Sequence, residues 1–256
     1  MRYPNGLFGW ADVMTRDPGR AIEFYEGLFG WTHVDQPTPM GPPYTQFFKD
    51  GQLVCGLSPM MPGVPEEVGA FWTSYVLVED ADATAAAAEA AGGTISMPPM
   101  DVMDQGRMAM LADPTGAAVG LWQPAAHQGA DVFNAPGSMT WNELQTRDIE
   151  AALPFYETVF GWEWDDGPNP GYYVANIAAK EGDDKSNAGA MTTPPGVPDE
   201  APNVWMVYFA VEDCDTSMAA AEGLGGEVFL PAMEMGPGKF GGLIDPTGGM
   251  FLLGSF

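Results

Sequence analysis

Trp10-Ala-Asp-Val-Met-Thr-Arg-Asp17, leading into Phe24-Tyr25-Glu26 and closing at Phe29-Gly30-Trp31, returns as Trp141-Asn-Glu-Leu-Gln-Thr-Arg-Asp148, Phe155-Tyr156-Glu157 and Phe160-Gly161-Trp162. At a constant offset of 131 residues, the two 22-residue windows share eleven identities. A match of this density marks an internal duplication. Residues 72–82 (WTSYVLVEDAD) likewise return as residues 205–215 (WMVYFAVEDCD), and Asp113-Pro-Thr-Gly116 returns as Asp245-Pro-Thr-Gly248. Each copy is long enough to hold a core of its own, so the repeat implies tandem domains rather than a solenoid.

Within a copy, the order of elements is legible from periodicity. Residues 8–16 alternate apolar and polar side chains, and Asp17-Pro18 has the form of a helix cap followed by proline at the first helical position. Ala21, Ile22, Tyr25, Leu28 and Phe29 fall at helical spacing, and Gly30 supplies the left-handed stop. Short strands then follow around Thr32, over residues 44–49 and from Leu53, with Asp50-Gly51 as a hairpin turn. The proline-rich stretch 61–68 leads to a second module: a strand at 71–78, a helix capped by Asp82 and stopped by Gly92-Gly93, and strands near Ile95, at 107–112 and at 117–122. The expected fold is therefore α+β, built of four βαβββ modules. Its domains span residues 1–124 and 139–256, joined by an aperiodic linker at 125–138.

Composition narrows the function. The chain has 256 residues, 46% of them hydrophobic, with 9 basic against 35 acidic side chains and a formal net charge of −26. Such a surface repels nucleic acid and anionic membranes, so neither is expected as a partner. There is no run of eighteen apolar residues and no signal-peptide pattern, which makes a cytoplasmic location the expectation. Cys55 and Cys214 lack any metal or disulfide spacing and read as reduced thiols.

The FYExxFGW helix, the VEDAD/VEDCD step and the DPTG turn, in register and twice over, resemble the vicinal-oxygen-chelate superfamily, which embraces glyoxalases, bleomycin-resistance proteins and extradiol dioxygenases. In detail the chain is similar to the tandem two-domain actinobacterial glyoxalase-like branch that includes a mycobacterial culture-filtrate antigen. The resemblance implies that paired modules wrap a cupped mixed sheet around a cavity, where metal-dependent members hold a divalent cation on four inward side chains. Carried onto this sequence, those four places fall at Trp10, Cys55-Gly56, about Thr73 and about Gly120, and in the copy at Trp141, Gly189-Ala190, about Met206 and about Leu252. Neither set offers the carboxylates, imidazoles or thiolates that a divalent cation needs, so no metal and no cofactor is expected. The only histidines, His33 and His127, read as surface residues.

Strand parity supplies the remaining cavity candidates. If Trp10 and Trp141 face inward, so do Asp12 and Glu143; Tyr75 and Tyr208 lie two residues beyond the third lost ligand. Asp12, Glu143, Tyr75 and Tyr208 are the candidate catalytic groups. Trp10, Trp141, Trp72, Trp205, Arg107 and Lys239 are the candidate ligand-binding ones. Alternatively, each carboxylate pairs with Arg107 or Lys239 and each tyrosine is core. Trp31 and Trp162 read as packing, and Arg16 and Arg147 as residues that orient the strand-to-helix turn. The expected function is metal-independent binding of a small planar or hydrophobic molecule in an aromatic cavity. The alternative is a lyase or isomerase that uses a cavity carboxylate as general base; a third reading leaves the pockets vestigial. A monomer with internal pseudo-two-fold symmetry is expected.

Overall fold

The computed structural model describes residues 2–39, 41–235 and 238–256. Its strands form two eight-stranded mixed sheets, ordered β2-β3-β4-β1-β5-β8-β7-β6 and β10-β11-β12-β9-β13-β16-β15-β14. The first comprises β1 (Phe8–Thr15), β2 (Thr32–Gln36), β3 (Tyr44–Lys49), β4 (Gln52–Pro59), β5 (Phe71–Leu77), β6 (Thr94–Val102), β7 (Gly106–Ala112) and β8 (Ala118–Pro124). The second comprises β9 (Met139–Thr146), β10 (Glu163–Asp166), β11 (Tyr172–Asn176), β12 (Ser186–Thr192), β13 (Val204–Ala210), β14 (Glu227–Met235), β15 (Gly238–Ile244) and β16 (Met250–Ser255). The helices are α1 (Pro18–Phe29), α2 (Ala81–Ala90), α3 (Ile149–Phe160) and α4 (Cys214–Gly223). Each sheet is therefore two βαβββ modules, as the repeat predicts. Among the described residues no helix is long and apolar enough to cross a membrane.

In every module the strand before the helix pairs in parallel with the module's last strand, which the helical crossover makes possible. Asp17 and Asp148 cap α1 and α3 by accepting the backbone N–H of Arg20 and Ala151, and Gly30 and Gly161 end those helices with φ of 65° and 70°. The cap of α2 is Asp80, whose side chain accepts from Ala83 N–H, and not Asp82. The latter stands in the first turn, where a carboxylate meets the positive end of the helix dipole. β6 is longer than its apolar pattern suggests and carries Pro98 and Pro99; both are tolerated because it is a sheet-edge strand. Arg16 and Arg147 clamp the proline-rich bridges, donating to the carbonyls of Val64 and Pro65, and of Pro198 and Ala201.

Two compact units emerge, and each draws one module from each sequence copy. One contains residues 1–10, 74–129 and 142–206; the other contains 11–73, 130–141 and 207–256. In the second unit the buried Tyr25 on α1 donates its hydroxyl to Asp245 Oδ2 at 2.5 Å and accepts the indole N–H of Trp72 at 2.9 Å. In the first, Tyr156 on α3 donates to Asp113 Oδ2 at 2.9 Å and accepts from Trp205 at 2.7 Å. The other oxygen of each aspartate closes its own turn. Asp113 Oδ1 takes the Thr115 N–H, the Thr115 hydroxyl and the Ala117 N–H, and Asp245 Oδ1 does the same with Thr247 and Gly249. FYE and DPTG, far apart in sequence, are thus the two halves of one hydrogen-bonded link between copies.

Burial, then the adjacent carboxylate, pushes the Tyr25 and Tyr156 hydroxyls well above the usual phenol range. Because a phenol in the unfolded chain ionises near pH 10, the stability these groups contribute is complete below about pH 10 and is lost as pH rises above it. Tyr25→Phe or Tyr156→Phe is expected to cost about 2 kcal/mol in urea unfolding at neutral pH, since an indole N–H and a carboxylate oxygen each lose a partner. The double variant is also expected to flatten the fall in stability above about pH 10.

Candidate functional site

Strand register decides which side chains share a face. Asp12 on β1 is the partner of Gly56 on β4, and Glu143 on β9 is the partner of Gly189 on β12. Tyr75 on β5 is the partner of Gly120 on β8, and Tyr208 on β13 is the partner of Leu252 on β16. Parallel partners project to the same side, so each candidate carboxylate and phenol stands on the face of the position where the family resemblance puts a ligand.

The carboxylates are buried, Asp12 being 7% and Glu143 3% exposed. Asp12 Oδ2 accepts the hydroxyl of Tyr44 at 3.0 Å. Tyr44 comes from β3, and its hydroxyl rests over Gly56, where an added Cβ would lie only 1.9 Å away. Beside it Gln46, the register partner of Gly56, accepts the side-chain amide of Gln36. Glu143 Oε1 accepts the side-chain amide of Gln145 at 3.0 Å.

The tyrosines and tryptophans divide into two groups. Tyr75 lies over Gly120, where an added Cβ would stand 2.2 Å from the ring, and Tyr208 meets Phe240 edge-on at 6.0 Å. Trp10 packs edge-on against the imidazole of His127 at 4.4 Å, and Trp122 meets the same ring at 5.3 Å. His127 is therefore a half-buried aromatic contact, which corrects its reading as a surface residue. Trp141 is half-buried on β9. Trp72 and Trp205, by contrast, point to the helix side, where their indole N–H groups are committed to Tyr25 and Tyr156. Alternation along β5 and β13 puts them opposite to Thr73 and Met206, one residue on.

Arg107 and Lys239 engage neighbouring acids outside this set. Arg107 forms a two-pronged pair with Asp82, at 2.6 and 2.9 Å, and a further bond to Asp101 at 2.9 Å; Lys239 pairs with Asp215. Hydrogen bonding to Arg107 holds the Asp82 carboxyl below the usual range, and Asp215 raises the Lys239 ammonium. The matching positions of the two cations reflect a repeated tether between the first turn of α2 or α4 and the strand beside it. Trp31 and Trp162 are packing residues as expected, donating to the carbonyls of Gly137 and Gly6. Cys55 and Cys214 are free and buried.

The positions implied for a divalent cation do not fit one. They hold an indole at Trp10, the Tyr44 hydroxyl over Gly56, the Tyr75 ring over Gly120 and an aliphatic side chain at Leu252. Among the described residues no group of three or more His, Cys, Asp or Glu side chains converges to hold a metal ion. Tyr44 is the site residue that the repeated motifs do not single out. The available signal is its place in a strand joined by the Asp50-Gly51 hairpin to the strand of Gly56, although the bulge between Phe47 and Phe48 complicates the count.

Comparison with known proteins shows the family and the fold. Residues 7–121 match the model of the Glyoxalase/Bleomycin resistance protein/Dioxygenase superfamily, and residues 141–253 match that of a glyoxalase-like domain. CFP32 of Mycobacterium tuberculosis, provisionally named a glyoxylase, is 40% identical over 97% of this chain and 94% of its own length. The anthracycline biosynthesis protein DnrV of Streptomyces peucetius is 37% identical over 98% of this chain and 93% of its own. Two solved structures share the fold at 15% identity and a TM-score of 0.65. The Mn(II)-bound glyoxalase of Novosphingobium aromaticivorans matches over 98% of this chain and 83% of its own. The 2,3-dioxygenase LapB of Pseudomonas sp. KL28 matches over 98% and 93%.

The seat of Tyr75 is testable. Gly120→Ala is expected to cost about 1–3 kcal/mol by forcing the ring aside. In a Tyr75→Ala background the same change is expected to cost clearly less, a coupling readable from a double-mutant cycle of urea midpoints.

Proposed function

This chain belongs to the glyoxalase/bleomycin resistance protein/dioxygenase superfamily, and from that premise we propose that it is a metal-independent small-molecule binding protein, with a ligand held in one or both units, beside the buried Asp12 in one and the buried Glu143 in the other. The observation that supports this reading is the Asp12–Tyr44 pair over Gly56: a buried acid accepts a phenol hydroxyl beside a position where the family resemblance implies a ligand. Tyr75, Tyr208, Trp10 and Trp141 supply the apolar, aromatic surface usual in ligand sites. The Streptomyces relatives named for anthracycline biosynthesis support a planar polycyclic ligand, which suits aromatic walls and one or two hydrogen-bonding groups.

A second reading, of a lyase or isomerase, is favoured by the same pair. A desolvated carboxylate with a neighbouring phenol is equipped to take a proton from a carbon beside a carbonyl and return it, while a phenol donates to the enolate oxygen. Tyr208 shares a unit with Asp12, and Tyr75 shares one with Glu143. The proton lost by carbon is carried on Asp12, or on Glu143 in the second copy, until it is returned.

Tryptophan fluorescence of chelator-treated protein, titrated with an anthracycline aglycone, tests the first reading. Saturable quenching is expected, weakened about tenfold in Asp12→Asn, equivalent to about 1.4 kcal/mol. Quenching that appears only after a divalent metal is restored would contradict it. Mass spectrometry of the ligand after incubation in D2O tests the second: deuterium incorporated beside a carbonyl, and lost in Asp12→Asn and Glu143→Gln together, is the expected signature of enolisation.

A further inference from the structure

On the strand face opposite α4, the last module carries aromatic rings that reach the surface. Residue 241 faces the helix, since a Cβ added at Gly241 would lie 2.3 Å from Met218 Sδ on α4. Alternation therefore puts Phe240 and Gly242 on the opposite face. Gly242 is in line with Leu252 and Tyr208 across β15, β16 and β13, and the ring of Phe229 rests over it, 2.4 Å from where a Cβ would stand. Phe229 sits where β14 slips register between Val228 and Leu230, a bulge that re-aims its side chain over the neighbouring strand. One row on, Phe240 is the partner of Gly254, where an added Cβ would lie 3.1 Å from the ring of Phe240 and 3.3 Å from that of Phe256. Tyr208, Phe240 and Phe256 make an edge-to-face chain with centroids 6.0 and 5.4 Å apart. Phe229 is 39% and Phe256 69% exposed, as is Met233, the β14 partner of Phe240, at 39%.

The equivalent module of the other copy repeats the strands and the bulges with different side chains. Ser96 stands at the place of Phe229, and Met108 and Met110 stand at those of Phe240 and Gly242. Trp122 stands at the place of Gly254 and is buried, its ring lying over Gly106, where an added Cβ would be 2.5 Å away. Pro124 takes the place of Phe256. We propose that Phe229, Phe240 and Phe256 form a stacking wall for a planar polycyclic molecule, so that the unit carrying Asp12, and not the one carrying Glu143, takes that ligand. The inference rests on the proposed small-molecule function and deepens it by naming the unit and the residues that hold the flat part of the ligand. Rings set edge-to-face offer a flat molecule both planes and edges, the two arrangements that aromatic pairs favour. Glycine at 242 and 254 lets these rings settle on the sheet backbone, where methionine and tryptophan occupy the corresponding places in the other copy. A small molecule suits this wall better than a second copy of the chain, which would bring the same net charge of −26 against it.

The test is methyl NMR of the full-length protein labelled at its methionine methyl carbons and titrated with 1,4-dihydroxyanthraquinone. Met233, beside Phe240, reports on the wall; Met100, the partner of Met108, reports on the same place in the other copy. Each resonance is assigned by its loss in Met233→Leu or Met100→Leu. Saturable binding is expected to move the Met233 methyl by the ring current of the probe and to leave that of Met100 in place. Phe229→Ser, which installs the other copy's residue at an exposed position, is expected to weaken binding about tenfold. Phe256→Ala, at a still more exposed position, is expected to act in the same direction, and the unchanged Met100 resonance reports an intact fold in both. A shift of Met100 without one of Met233, or unchanged affinity in both phenylalanine variants, overturns the assignment and leaves the proposed function standing. A Met233 resonance that moves on dilution alone, before any probe is added, makes a second copy the occupant and also overturns it. Absence of any saturable binding contradicts the assignment and the proposed function together.

Discussion

The hydrogen bond from a helix tyrosine to the DPTG aspartate of the other copy is the constraint on which the rest of this architecture depends. Tyr25 reaches Asp245 and Tyr156 reaches Asp113, each across a pair of modules that are remote in sequence. Each aspartate then divides its two oxygens between holding the partner's tyrosine and closing its own turn. A buried carboxylate is tolerable only when its lone pairs are filled. Here a turn hydroxyl, two backbone N–H groups and a phenol fill them. The same tyrosine takes the indole N–H of Trp72 or Trp205, so the motif residues repeated most faithfully form a core network and are not offered to ligand.

With the helix side of each sheet committed to packing, the opposite strand face is left for chemistry. Asp12 and Glu143 occupy equivalent strand positions; Asp12 accepts the Tyr44 phenol from β3, and Glu143 accepts the Gln145 amide from its own strand. The glycines at 56 and 120 make room for the Tyr44 hydroxyl and the Tyr75 ring. The proposed ligand site draws on these hydrogen-bonding groups and aromatic planes, the usual makeup of a site that recognises an organic molecule by shape and a few polar contacts.

Most of the fold is legible in the sequence because its signals are local and occur twice. The Asp17-Pro18 and Asp148 caps, the Gly30 and Gly161 stops and the Asp50-Gly51 hairpin each state a backbone conformation outright. The cap of α2 is ambiguous in sequence because residues 79–82 (EDAD) contain two candidate aspartates two positions apart, and only backbone geometry selects Asp80 over Asp82. The site is less legible. Parity puts Asp12 on the face of Trp10 and Tyr75 on that of Thr73, while their pairing with Gly56 and Gly120 comes from strand register. Parity also makes Trp72 a neighbour of Thr73 without revealing that it faces the helix. The Tyr44–Asp12 contact spans 32 residues and depends on strand register through a bulge, which periodicity alone does not fix.

The central claim, an organic-ligand site without a resident cation, is tested most directly by elemental analysis of the purified protein combined with native mass spectrometry under gentle conditions. The predicted result is substoichiometric divalent metal and, where a ligand is retained, an added mass that belongs to an organic molecule. A stoichiometric divalent ion that survives dialysis would contradict the claim and would return metal-assisted chemistry to the centre of the protein's function.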